Sequence, residues 1–166
     1  AVLDGGWEAW VKAGHPVTAA QPAIKPASFA ARVMPRLAVD AAYVAAHMGE
    51  AETCVLDARS AERFRGVNET LDPVGGHIPG ALNRFYKYNL DTDGCFKPAI
   101  ELREEFSDLI GMHALQNVLH QCGSGVTACH NLLAMEIAGL PGSRLYPGSW
   151  SEWVSDPSRP VAKGSA

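Results

Sequence analysis

One cysteine of this chain stands in a glycine-bearing hexapeptide, Cys122-Gly123-Ser124-Gly125-Val126-Thr127, a combination of residue types that can make a nucleophile. The thiolate attacks and the thiol does not, so the question is what would favour the anion. Backbone N–H groups turned inward by a tight loop, together with the positive end of a following helix dipole, do so without a metal. Gly123 and Gly125 permit that loop because glycine tolerates positive φ and close backbone approach. Val126 and Thr127 contribute further amides to the ring around the sulfur. Ser124 adds a hydroxyl able to hydrogen-bond the sulfur or relay a proton, with simple loop capping as its alternative role.

Such a loop needs a strand before it and a helix after it. Asn117 to Gln121 reads as a short buried strand, and Thr127 to Ala138 has helical spacing with Leu132, Leu133 and Ile137 apolar. Upstream, Asp40 can cap a helix over Ala41 to Met48, Cys54 to Asp57 forms a strand, and Ser60 caps a short helix carrying Glu62 and Arg63. Pro98 opens a helix over Ala99 to Ile110, with Leu102, Phe106, Leu109 and Ile110 as its apolar face. Strands alternating with helices predict an α/β fold with a central, mainly parallel sheet and helices on both faces. Ligands of such sheets bind beyond the carboxyl ends of the strands, where Cys122 falls.

Composition removes several function classes. The chain has 166 residues, 47% of them hydrophobic and 19% charged, with a formal net charge of −4. It has room for one domain with a sizeable core and some excess. No basic cluster with interleaved aromatics argues for nucleic acid, and the acidic balance argues against an anionic membrane surface. No apolar run approaches the roughly 18 residues that span a bilayer. The four cysteines, Cys54, Cys95, Cys122 and Cys129, have neither zinc-ribbon nor CxxC spacing and read as reduced thiols, which makes the cytoplasm the default compartment. Cys54 belongs to the core, Cys95 to a loop, and Cys129 to the first turn of the helix after the loop, where packing is favoured over a resolving-thiol role.

An internal echo divides the chain. Leu3 to Val11 (LDGGWEAWV) aligns with Tyr146 to Val154 (YPGSWSEWV), and His15-Pro16-Val17 recurs as Arg159-Pro160-Val161. Residues 1–17 are therefore read as the tail of a preceding, mostly absent domain. Residues 18–34, rich in Ala and Pro, are read as a linker, and residues 35–166 as the catalytic domain.

CGSGVTA, following a strand and opening a helix, closely resembles the active-site loop of the rhodanese-like sulfurtransferases, and its CGSG form is most similar to the 3-mercaptopyruvate type. Val55 to Gly66 (VLDARSAERFRG) resembles the D-x-R and R-F-x-G pattern of that family, Gly76 to Ala81 (GHIPGA) its hallmark turn, and Tyr146 to Trp153 (YPGSWSEW) its closing segment. The resemblance implies a rhodanese-like fold, tandem domains with an inactive first copy, and a double displacement through a Cys122 persulfide. No metal or cofactor is required.

Arg63 matches the arginine that, by the resemblance, binds the anionic end of the donor; a guanidinium suits that task by offering parallel N–H donors. Arg59 and Asp57 are expected to hold the scaffold, His77 to brace a turn, and Trp150 and Trp153 to anchor the core. The partners implied are a small anionic sulfur donor and an acceptor that is cyanide, a small thiol or thioredoxin, with an upstream rhodanese-like domain completing the cleft. Thiosulfate and 3-mercaptopyruvate stay unseparated as donors. The loop favours the second, but Asn68 to Gly76 (NETLDPVGG) lacks the arginine often found there. Two other classes compete. A noncatalytic binding module would not need Cys122, and a cysteine phosphatase or arsenate reductase needs C-x5-R, where this chain has Ala128.

Overall fold

The computed structural model describes residues 2–165; Ala1 and Ala166, the outer ends of the tail and domain read from the sequence, lie outside them. Helix α1 (Gly6–Lys12) precedes a stretch without regular structure, in which residues 18–34 are exposed throughout. Then follow α2 (Ala41–His47), β1 (Cys54–Asp57), α3 (Ala61–Arg65), β2 (Leu82–Asn83), α4 (Ala99–Ile110), β3 (Val118–Gln121), α5 (Ala128–Ile137), β4 (Arg144–Leu145) and α6 (Ser149–Trp153). The four strands form one parallel sheet in the order β2-β1-β3-β4. Cys54 pairs with Val118 and Asp57 with Gln121, so the two central strands end level, and the chain leaves both at the same edge.

Alternation along the strands sorts the core into two layers. Val55 and Leu119 face a cluster built with Val44 of α2, Phe64 of α3, and Trp150 and Trp153 of α6. Cys54, Leu56 and Val118 face the other cluster, with Leu102, Phe106 and Ile110 of α4 and Ala134 and Met135 of α5. The sheet is thus an α/β sandwich with helices on both faces.

Local signals place several elements directly. The Asp40 carboxylate accepts a 2.8 Å hydrogen bond from the Tyr43 N–H and caps α2. Ser60 occupies the cap position of α3 but its side chain makes no capping bond. Along α5 the apolar pattern misleads. Leu132 and Leu133 are only partly buried and Ile137 is 37% exposed, whereas Ala128, Asn131, Ala134 and Met135 form the buried face. Small residues let the helix approach β3 closely, and Asn131 is admitted because its amide is paired with Asn89 and the Arg84 carbonyl. Cys129 is exposed, contrary to the packing role expected for it, with its thiol 3.4 Å from the Gly125 carbonyl.

The internal echo extends to hydrogen bonds. Trp153 donates its indole N–H to the Pro160 carbonyl at 2.9 Å, and Trp10 donates to Pro16 at 3.0 Å. The Arg159 guanidinium lies over the Trp153 ring at 5.7 Å, and the His15 ring lies 4.5 Å from that of Trp10. Among the described residues no helix is long and apolar enough to cross a membrane.

Candidate active site

Cys122 follows β3 directly and is 2% exposed, packed with Ala58 and Ala128 and bordered by Tyr86 and Leu145. The start of α6 holds the loop in place. The Ser149 hydroxyl accepts a 3.1 Å hydrogen bond from the Cys122 N–H and donates to the Tyr146 carbonyl at 2.9 Å. The Trp150 N–H bonds the Cys122 carbonyl at 3.0 Å, and the Ser151 N–H bonds that of Gly123 at 2.9 Å. Gly125 is required twice over: its φ is +81°, and a Cβ there would stand 2.4 Å from the Pro147 carbonyl oxygen.

A cavity of about 280 Å³ opens beside the thiol. Cys122, Gly123, Ser124, Val126 and Thr127 form one wall, and Arg63, Leu71, Asp72 and Ser151 the other. The fold therefore gathers Cys122, Ser124, Arg63, Gly123, Val126 and Thr127 at one site, with Gly125 shaping the loop between them. Ala128, where a phosphatase would need its arginine, is fully buried behind the loop.

Arg63 is held differently from a free anion fork. Its Nε donates to Glu69 at 2.9 and 3.1 Å, and its Nη2 to Asp72 at 3.0 Å. Its Nη1 lies 3.4 Å from where a Cβ on Gly123 would stand, so this nitrogen borders the loop. Burial works to raise the Glu69 carboxyl, but hydrogen bonds from Arg63 and from the Leu71 and Asp72 N–H groups outweigh it and hold its pKa below the ordinary range. Arg59 is buried, paired with Asp57 at 2.6 Å, donating to the Gly76 carbonyl at 2.6 Å and lying over the Trp150 ring. His77 bonds the Phe64 carbonyl through Nδ1 at 2.8 Å and stacks on the Phe64 ring. Both residues thus support the scaffold of the turn. His120 and His130 are held below the usual imidazole range, His120 to about 3, by burial.

Sequence reasoning missed Ser149, Ser151, Glu69 and Asp72. The two serines lie in the YPGSWSEW segment, where the sequence is read for its resemblance to a closing segment and for its tryptophans. The two acids lie in NETLDPVGG, where the signal read was an absent arginine.

The family model for the rhodanese-like domain matches residues 40–156. This chain belongs to the rhodanese-like domain family. The rhodanese-like chain is 47% identical over 163 residues to a Pseudomonas aeruginosa protein named "Probable 3-mercaptopyruvate sulfurtransferase", covering 98% of this chain and 57% of that protein. It is 35% identical over 170 residues to "Thiosulfate sulfurtransferase" of Rattus norvegicus, covering 99% and 57%. The chain thus spans little more than half the length of the curated relatives it matches. Its fold superposes with a TM-score of 0.84 on the anaerobic ergothioneine biosynthesis enzyme of Chlorobium limicola, at 23% identity, covering 99% of this chain and 41% of that one.

Proposed function

We infer that this rhodanese-like domain is the catalytic part of a sulfurtransferase that carries sulfur on Cys122. The observation that carries the reading is a buried cysteine lining a small cavity together with Ser124, Thr127 and Arg63. The Cys122 thiolate attacks the outer sulfur of the donor and forms a Cys–S–S bond. With thiosulfate the donor's S–S bond breaks and sulfite leaves with the electron pair. With 3-mercaptopyruvate the C–S bond breaks, and the leaving carbon takes a proton to give pyruvate. A cyanide ion, a small thiol or thioredoxin then takes the terminal sulfur and restores the thiolate. Amides of Gly123 to Thr127 face the anionic persulfide, Ser124 hydrogen-bonds it, and Arg63 receives the anionic end of the donor.

An upstream rhodanese-like domain is part of this reading. Leu3, Trp7 and Val11 are exposed at four-residue spacing, whereas their counterparts in the echo, Tyr146, Trp150 and Val154, pack in the core. The body of that domain would cover the α1 face. The unpaired cysteines support a cytoplasmic setting.

The deciding experiment is intact mass after exposure to either donor. One added sulfur, removed by reductant and absent from Cys122→Ser, is the expected result. No added sulfur from either donor in the complete protein would overturn the reading and favour a binding module.

A further inference from the structure

Asp72 stands in the wall of the Cys122 cavity, and the proposed chemistry gives it no role. Its side chain is 7% exposed, and both of its oxygens are used: Oδ2 accepts from Arg63 Nη2 at 3.0 Å, and Oδ1 accepts from the Ser151 hydroxyl at 2.6 Å. Ser151 in turn bonds the Gly123 carbonyl through its N–H, so the carboxylate is fixed to both walls of the site. Among the described residues Arg63 and Asp72 are the two oppositely charged side chains lining the cavity. The ion pairs behind them run from Arg63 to Glu69, Glu69 to Arg59 and Arg59 to Asp57. Two guanidinium groups therefore stand against three carboxylates, and the side chains around the cavity supply no net positive charge.

We propose that Asp72 is a specificity-determining residue that makes this site favour a donor with a single negative charge, a carboxylate-bearing thiol such as 3-mercaptopyruvate, over dianionic thiosulfate. The proposal deepens the sulfurtransferase reading and rests on it. Asp72 and Glu69 hold Nη2 and Nε of Arg63, and Nη1 beside Gly123 is the nitrogen placed to meet the donor. One such contact suits a carboxylate. A second negative charge in the same small cavity meets the Asp72 carboxylate, and among the described residues no cation but Arg63 lines the cavity to offset it.

The test compares Asp72→Asn with Asp72→Glu in the complete protein, measuring kcat/KM for both donors. Coulomb energy is linear in charge, so neutralising Asp72 should multiply the thiosulfate efficiency by about the square of the factor for the singly charged donor, roughly tenfold against threefold. Asp72→Glu, which keeps the charge, should retain the original preference. Asp72→Ser repeats the neutral case should asparagine disturb the fold. Thiosulfate and pyruvate titrated into Cys122→Ser, with and without Asp72→Asn, give the same comparison without turnover. Equal changes for the two anions, or none, would overturn the role of Asp72. Absence of added sulfur on wild-type Cys122 would instead overturn the persulfide reading, and the titrations would still decide the question of charge.

Discussion

The Ser149 hydroxyl sits 3.1 Å from the Cys122 backbone nitrogen and accepts its hydrogen bond across a separation of 27 residues. Ser149 adopts φ +53°, a left-handed conformation that side chains other than glycine and asparagine seldom take. Its counterpart in the echo, Gly6, has φ +60°. The segment at Ser149 thus carries a side chain where the matching segment at Gly6 has the residue the backbone prefers, and that side chain holds the Cys122 N–H. Ser149→Ala keeps the strain and orphans the buried Cys122 N–H, at a cost of about 1–3 kcal/mol. Ser149→Gly loses the same bond but relieves the backbone by about 1 kcal/mol, so it should unfold at a higher denaturant concentration than Ser149→Ala. Both should lower sulfur loading of Cys122, read by intact mass over time.

Gly125→Ala tests the turn itself. A methyl group there would stand 2.4 Å from the Pro147 carbonyl oxygen with φ at +81°, so the loop or the α6 segment must shift. Thermal unfolding should show a loss of about 2–4 kcal/mol, and cysteine loading should fall even where the protein stays folded.

Acid should weaken the fold as pH falls below 6.5, through His120. His120 is fully buried, its ring nitrogens have no hydrogen-bond partner among the described residues, and burial lowers its pKa from 6.5 to about 3. Between those values the unfolded chain holds a proton there that the folded chain does not, so stability falls as pH drops, by about 1.4 kcal/mol per pH unit for this one group. Half-buried His130 adds in the same direction. Glu69 and Glu105, whose pKa values are held below the usual 4.5, contribute stability that is present above that value and is lost only as pH falls beneath it. Urea unfolding between pH 6.5 and 5.5, above the range in which Glu69 and Glu105 lose their contribution, reads the histidine effect, and His120→Leu should flatten most of the slope. An unchanged slope would assign the loss to other groups.

Trp7 reports on the proposed upstream domain. It is 66% exposed here, against 0% for Trp150 at the matching position. In the complete protein Trp7→Ala should lower the unfolding temperature and alter acrylamide quenching of tryptophan fluorescence. In this chain alone it should leave stability within about 0.5 kcal/mol. Equal effects in both would place α1 outside any such interface.

Much of this architecture is written locally. The run Cys54–Asp57, the run Asn117 to Gln121 and the spacing of Leu102, Phe106 and Ile110 are each decided by neighbours in sequence, and each forms the element its pattern predicts, save that Asn117 closes a turn and the strand begins at Val118. The strand, loop and helix around Cys122 are legible for the same reason, since a glycine-bearing turn between two periodic segments has few other folds. The buried face of α5 is not, because which side of an apolar helix is covered depends on how closely the sheet approaches. Ala134 and Met135 fit there and Ile137 does not. By itself the sequence determined the loop that carries Cys122 and the sheet that presents it, both of which follow from local backbone preference and hydrophobic period. Only the tertiary structure decided that Ser149 holds the cysteine and that Glu69 and Asp72 occupy Arg63. Hydrogen bonds and ion pairs between distant segments are fixed by packing, and no periodicity along the chain encodes them.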